Sequence, residues 1–272
     1  MKKFAPLILW GIFAAIAVTL WLTLGNIFLL WNFLYIGTAV SAGSYLFGRG
    51  NKYARHAVLL AVGLYMFVYL GIIQRENMQI EGFWYYLFSG AFQAAVIHYL
   101  VAKIAGPLVF GRGWCGYACW TAMVLDFLPY KIPREPRRER LGVLRYVLFA
   151  VSFCFVGALF LFRVQDLNQV LWLAFLIGNA AYYGAGIALA FAFKDNRAFC
   201  KYVCPITAFL KPCSYFTLSR VVVDKSKCID CGACERVCPM NVEVRNPKRS
   251  RKNGTECILC MECARVCPKK AI

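Results

Sequence analysis

Residues 228–239 read CIDCGACERVCP, and residues 257–268 read CILCMECARVCP. Each copy has the spacing C-x2-C-x2-C-x3-C-P, and the first cysteines, Cys228 and Cys257, stand 29 residues apart. Three thiols at this spacing put three soft ligands on one tight loop. The fourth lies too far along to close the same site comfortably. Zinc sites favour separated cysteine pairs, and disulfides need an oxidising compartment. Neither accounts for two identical four-cysteine copies with a proline after each.

The pattern is similar to that of bacterial two-cluster ferredoxins, in which the fourth cysteine of each copy serves the other cluster. That resemblance implies one [4Fe-4S] cluster on Cys228, Cys231, Cys234 and Cys267. It implies a second on Cys257, Cys260, Cys263 and Cys238.

Outward from this tail the chain changes character. Of its 272 residues 61% are hydrophobic and 16% charged, with a mean hydropathy of +0.57. That composition belongs to a chain crossing a membrane several times. A span needs ~20 apolar residues, and six candidates stand at 4–24, 27–47, 56–73, 83–110, 141–162 and 170–193. The first has a basic start, Lys2 and Lys3, and Ala15-Ile16-Ala17 resembles a cleavage site. Its apolar run continues to Leu24, which favours a retained helix over a cleaved leader.

The net charge of +18 would suit nucleic-acid binding, but it is concentrated in loops and tail. Lys2, Lys3, Arg49, Lys52, Arg55, Arg112, Lys131, Arg134, Arg137, Arg138 and Arg140 fall on one side. The opposite loops hold only Arg75 and Arg163. The positive-inside rule then puts both termini and the tail in the cytoplasm, with the protein multi-pass in the inner membrane. No nucleic-acid partner is expected. The expected organisation is a membrane part over 1–193, a connector over 194–217 and a ferredoxin domain over 218–272. The fold class is a membrane all-α part of about six helices with a C-terminal cytoplasmic α+β 2×[4Fe-4S] domain. Short strands are expected at Val221–Val223 and, as strand or turn, at Asn241–Val244. The basic loop PKRSRKNG at 247–254 suits an acidic partner, anionic lipid or plain solvent.

A second repeat is less obvious. RGWCGYAC at 112–119 matches RAFCKYVC at 197–204, and each follows a span at its basic end. Cys115 and Cys119 are four apart, as are Cys200 and Cys204, so on a helix each pair shares a face. Two converging pairs make a four-thiol site at the membrane edge, in the motif over 112–122 and its partner. Such a site suits a further iron–sulfur cluster, tetrahedral zinc, a thiol–disulfide pair or plain packing. Cys154, inside the fifth span, reads as core packing, and Cys213 as structural.

The paired C-x3-C motifs beside membrane helices, one ending in Pro205, and the ferredoxin tail together resemble the NapH/NosR/CcoG group of membrane polyferredoxins over residues 111–268. Trp120 stands where that group usually has proline. The resemblance implies an electron-transfer subunit of an oxidoreductase complex. Electrons would pass between the quinone pool, or a membrane partner, and a redox enzyme, in the manner of a quinol dehydrogenase. The alternative it implies is a CcoG-like assembly factor that reduces a metal or feeds electrons to another enzyme's cofactor. Within the spans His98 is a candidate for hydrogen-bonding a quinone, with Gln93 and Asn179 weaker ones. His56 lies at the basic margin, too far from the depth of His98 for one haem between them. No nucleotide loop, flavin signature or catalytic triad is present.

Overall fold

In hydrocarbon a helix satisfies every backbone donor and acceptor within one segment, so the long apolar runs are helical. The computed structural model describes residues 4–92 and 94–272; Lys2, Lys3 and Gln93 lie outside them. Helix α1 (Ala5–Leu24) and α2 (Ile27–Gly48) form a hairpin. Gly25, at φ +67°, ends α1, and the Asn26 side chain accepts the Phe28 N–H to start α2. The two helices approach closely at Gly37, where a Cβ would lie 2.4 Å from Phe13 Cβ. Small residues at such crossings supply the van der Waals contact that holds helices together in lipid. Helix α3 spans Ala54–Ile73, and its second half, Tyr65–Ile73, is π-helical.

The fourth expected span is broken. Residues 83–110 do not form one helix: α4 runs Ile80–Phe88, and α5 runs Ala95–Phe110. Gly90 adopts φ +68° after α4, and its N–H bonds to the Leu87 carbonyl while that of Ala91 bonds to Tyr86. This left-handed stop closes a helix C-terminus. It was masked in the sequence by the hydropathy on both sides. Helix α5 has a π-helical stretch at Tyr99–Ala105.

Two short helices, α6 (Gly113–Tyr117) and α7 (Trp120–Leu125), follow at the membrane edge. Helices α8 (Glu139–Leu161) and α9 (Leu167–Phe193) return to the bilayer, and α10 (Ala198–Tyr202) and α11 (Thr207–Tyr215) mirror α6 and α7. Five helices among the described residues are long and apolar enough to cross a membrane. The molecule is a helical membrane protein with a C-terminal ferredoxin domain. In that domain the helices are single turns, α12 (Ala233–Arg236), α13 (Ser250–Gly254) and α14 (Glu262–Arg265).

Among the described residues no strand forms. Val221–Val223 runs without a ladder, and Asn241–Glu243 is irregular, with a turn beginning at Val244. The Asp224 N–H donates to the Ala271 carbonyl at 2.7 Å, tying the start of the tail to its end. A single backbone bond between the two ends ties them without making a ladder.

Candidate iron–sulfur centres

The two tail motifs fold alike. In the first, Asp230 and Gly232 take φ +49° and +71°, and Cys234 rides on α12. In the second, Leu259 and Met261 take φ +52° and +62°, and Cys263 rides on α14. Left-handed non-glycine residues persist only where their surroundings over-determine them, and they cluster at ligand clamps. The match continues downstream. The Val242 N–H donates to Cys238 Sγ and the Ala271 N–H to Cys267 Sγ, each at 3.3 Å and each four residues past the fourth cysteine.

Two cavities divide the eight cysteines crosswise. Cys228, Cys231, Cys234 and Cys267 line one. Cys238, Cys257, Cys260 and Cys263 line the other. The donor set fits the iron–sulfur group in each: four thiols, apolar walls and backbone N–H groups aimed at sulfur. Burial lifts the Cys257 thiol to about 12, and burial with the neighbouring Cys260 does the same for Cys263. Ligation needs thiolates, so metal binding at these loops releases protons.

The membrane-edge cysteines also come together, though not as spacing on one helix. Cys115 lies within α6, whereas Cys119 is the extended residue that starts α7. Cys200 lies within α10, and Cys204 stands in the break before α11. Each pair straddles a helix break, enforced in the second copy by Pro205. Cys115 and Cys200 are buried, and Cys119 and Cys204 are half-buried. Burial, then Cys200, Cys115 and Cys119, pushes Cys204 up to about 12. Burial lifts Cys200 to about 11 against the pull of Arg197. Among the described residues no three His, Cys, Asp or Glu side chains stand at single-ion spacing.

The repeated arginines cross between the halves. Arg197 Nη1 donates to the Cys115 carbonyl at 3.1 Å and approaches Cys200 Sγ at 3.9 Å. Arg112 Nη2 reaches Thr207 Oγ1 at 3.4 Å. Both guanidinium groups are buried and each has an acid. Arg197 and Arg55 share Asp126, each at 2.6 Å. Arg112, Arg137, Arg145 and Lys211 converge on Glu256 at 2.6–3.2 Å. Burial would raise the Glu256 carboxyl, but Arg112, Arg145 and Arg137 hold it far below the usual carboxylate range. Lys103, fully interior on α5, lies over the Trp114 ring at 5.1 Å.

These contacts seat the tail on the membrane part. A Cβ on Gly116 would lie 2.3 Å from the Ile258 carbonyl oxygen, and Tyr117 Oη donates to the Leu259 carbonyl at 3.0 Å. Cys115, Cys200 and Cys204 pack in one apolar cluster with Ile258, Cys238, Cys257 and Cys260.

Other sequence candidates fall differently. His98 is buried against Trp114, with ring centroids 5.3 Å apart. Asn179 is engaged: its Oδ1 accepts from Trp120 Nε1 at 2.8 Å and its Nδ2 donates to the Phe175 carbonyl. It therefore anchors the tryptophan that replaces proline. His56 faces Arg55 at 3.3 Å, apart from the surroundings of His98. Cys154 is exposed on α8 and not a core residue, because α8 turns that face outward; Cys213 is half-buried on α11. The sequence reading missed Asp126, Glu256, Lys103 and Arg145. The last two carried a readable signal, a basic residue inside an apolar span.

The family described as "4Fe-4S dicluster domain" matches residues 220–268. The family described as "4Fe-4S binding domain" matches residues 94–138 and 177–217, which contain the membrane-edge pairs. An uncharacterized protein of Methanocaldococcus jannaschii is 28% identical over 192 residues, covering 68% of this chain and 70% of its own length. The methylamine utilization ferredoxin-type protein MauN of Paracoccus denitrificans is 25% identical over 162 residues, 53% of this chain and 54% of MauN. The ferredoxin-type protein NapH of Haemophilus influenzae is 27% identical over 171 residues, 58% of this chain and 57% of NapH. The chain thus spans little more than half of these two named relatives. No solved structure matches it. Helices, cysteine loops and matched families together define a membrane protein that transfers electrons through 4Fe-4S ferredoxin-type domains. It fits the NapH-type polyferredoxins, as its motifs imply.

Proposed function

We propose that this protein relays electrons between the quinol pool and a redox partner, with three cysteine sets ordered from the membrane outward. Cys115, Cys119, Cys200 and Cys204 hold the innermost cluster. Cys238, Cys257, Cys260 and Cys263 hold the next, and Cys228, Cys231, Cys234 and Cys267 the outermost. A [4Fe-4S] cluster supplies one-electron chemistry at each set. The single observation that carries this order is the apolar cluster joining Cys115, Cys200 and Cys204 to Cys238, Cys257 and Cys260.

The residues around each set hold and tune it. Arg112 and Arg197 set positive charge beside the innermost thiols, and the paired N–H groups of Val242 and Ala271 bond sulfur in the outer two. Both features favour the more negative, reduced state. In the same proposal residues 1–193 form the membrane part, 194–217 the connector and 218–272 the ferredoxin domain. Arg55, Arg112, Arg137 and Arg145 lie on the tail's side of the bilayer, which supports a cytoplasmic tail in the inner membrane.

The test is an iron and acid-labile sulfide count on anaerobically purified protein, with EPR, against a Cys115→Ser, Cys200→Ser variant. Three clusters give about twelve irons in the wild type and about eight in the variant. About eight in both would remove the innermost set from the relay.

A further inference from the structure

Between α1, α2, α3 and α5 lies a cavity of about 220 Å³, larger than the ~150 Å³ cavity that takes up benzene. Its wall is almost wholly apolar. Among the described residues, four polar atoms on its lining residues are buried without a hydrogen-bond partner: Asn32 Oδ1, Glu76 Oε2, His98 Nε2 and Trp114 Nε1. Buried polar atoms are normally paired, and each exception calls for an explanation. Four on the wall of one apolar cavity point to a shared ligand that supplies the missing partners.

The surroundings narrow its chemistry. Ile97 and Phe110, thirteen residues apart on α5, both line the cavity, so it extends roughly 20 Å along the helix. Ile12 also lines it and is half exposed on the outer face of α1, which opens the cavity toward lipid. Both π-helical stretches, Tyr65–Ile73 and Tyr99–Ala105, contribute wall residues, Met66 and Leu70 from one and Val101 and Ala102 from the other. Such distortions frequently mark functional sites. Trp114, which lines the cavity, immediately precedes Cys115 on α6.

We infer that this cavity is the hydroquinone site, with His98 and Glu76 as the groups that receive the two hydroxyl protons and Asn32 and Trp114 as positioning residues. The inference rests on the quinol reading above. Oxidation of one hydroquinone to quinone breaks two O–H bonds. One proton passes to His98 Nε2 and one to Glu76 Oε2, and two electrons leave singly toward the Cys115 set. Glu76 follows α3 at the weakly basic side of the bilayer, so its proton has a short way out on the face opposite the tail.

The test uses the full chain in nanodiscs with decylubiquinone and decylubiquinol as probes. Quinone binding is read from tryptophan quenching, and electron entry from bleaching of the iron–sulfur absorbance. His98→Leu and the cavity-filling Ala102→Phe are expected to weaken quinone binding about tenfold or more, one lost buried hydrogen bond being worth about that factor. Glu76→Gln is expected to keep binding and slow bleaching by quinol. Dithionite should bleach all variants as it does the wild type, which separates a lost site from a lost fold. If quinol bleaches the wild type and all three variants alike, the cavity is not the site and the quinol reading stands. If dithionite bleaches the wild type and quinol does not, the quinol reading itself falls.

Discussion

The tail and the membrane edge assemble four-thiol sets in opposite ways. In the tail, eight cysteines lie within 40 residues, and each loop brings three thiols to its cavity by local backbone geometry. At the membrane edge, Cys115 and Cys200 are 85 residues apart, and only the packing of α6 and α10 between spanning helices brings them together. In the proposed reading the tail depends on its clusters to fold, whereas helix packing alone holds the membrane-edge thiols in place. A small loop-rich unit lacks the core to stand alone, whereas buried helices do not need metal to exist.

Removal of iron should separate the two regions most sharply. In iron-free protein, hydrogen exchange across residues 218–272 should approach that of an unfolded chain, while α1, α2, α8 and α9 stay protected. A protected, folded tail without iron would erase the contrast. Next in size is the contact that joins the regions. Glu256→Ala leaves four cations around a vanished carboxylate and should cost about 3–5 kcal/mol. The cost should be read as faster proteolysis of the connector and tail with the helices intact.

A smaller effect belongs to the membrane edge alone. Burial raises the Asp126 carboxyl, but Arg197 and Arg55 outweigh it and leave its folded value depressed. Its contribution is therefore full above the unfolded value of ~3.9 and is lost as pH falls below it. Thermal melts from about pH 6 down to about pH 3 should show an acid loss in the wild type that Asp126→Asn flattens. Smallest is the tuning of the tail. Neutralising Lys227, Arg236, Arg265 and Lys269 should lower the tail potentials, measured by redox titration, while the membrane-edge signal stays put. Exposed charges are screened, and Lys227 and Arg265 already pair with Asp224 and Glu262, so the shift should be modest.

What the sequence discloses follows the same division. The tail's spacing is a local rule, so its two cysteine loops are legible from Cys228 to Cys267, while their crosswise division is what the resemblance to two-cluster ferredoxins implies. The membrane edge is half legible. The repeat RGWCGYAC and RAFCKYVC announces two related pairs, but the helix-face expectation for Cys115 and Cys119 does not survive the break at Ala118. That break is a tertiary choice which no periodicity encodes. The interrupted span at Gly90 hid for another reason: hydropathy averages over a turn when both flanks are apolar. Asp126 and Glu256 were invisible because a lone acid in a basic chain announces a partner only once the fold supplies the arginines around it.

Gly116 carries a mechanical consequence. With bare backbone pressed against the Ile258 carbonyl, the ferredoxin domain is a soldered terminal rather than a swinging arm. A tail that swung to ferry charge outward would have to break this contact in every cycle, so we expect it to stay docked. The electron acceptor then has to come to the exposed rim, and crowding in the surrounding fluid should slow that step.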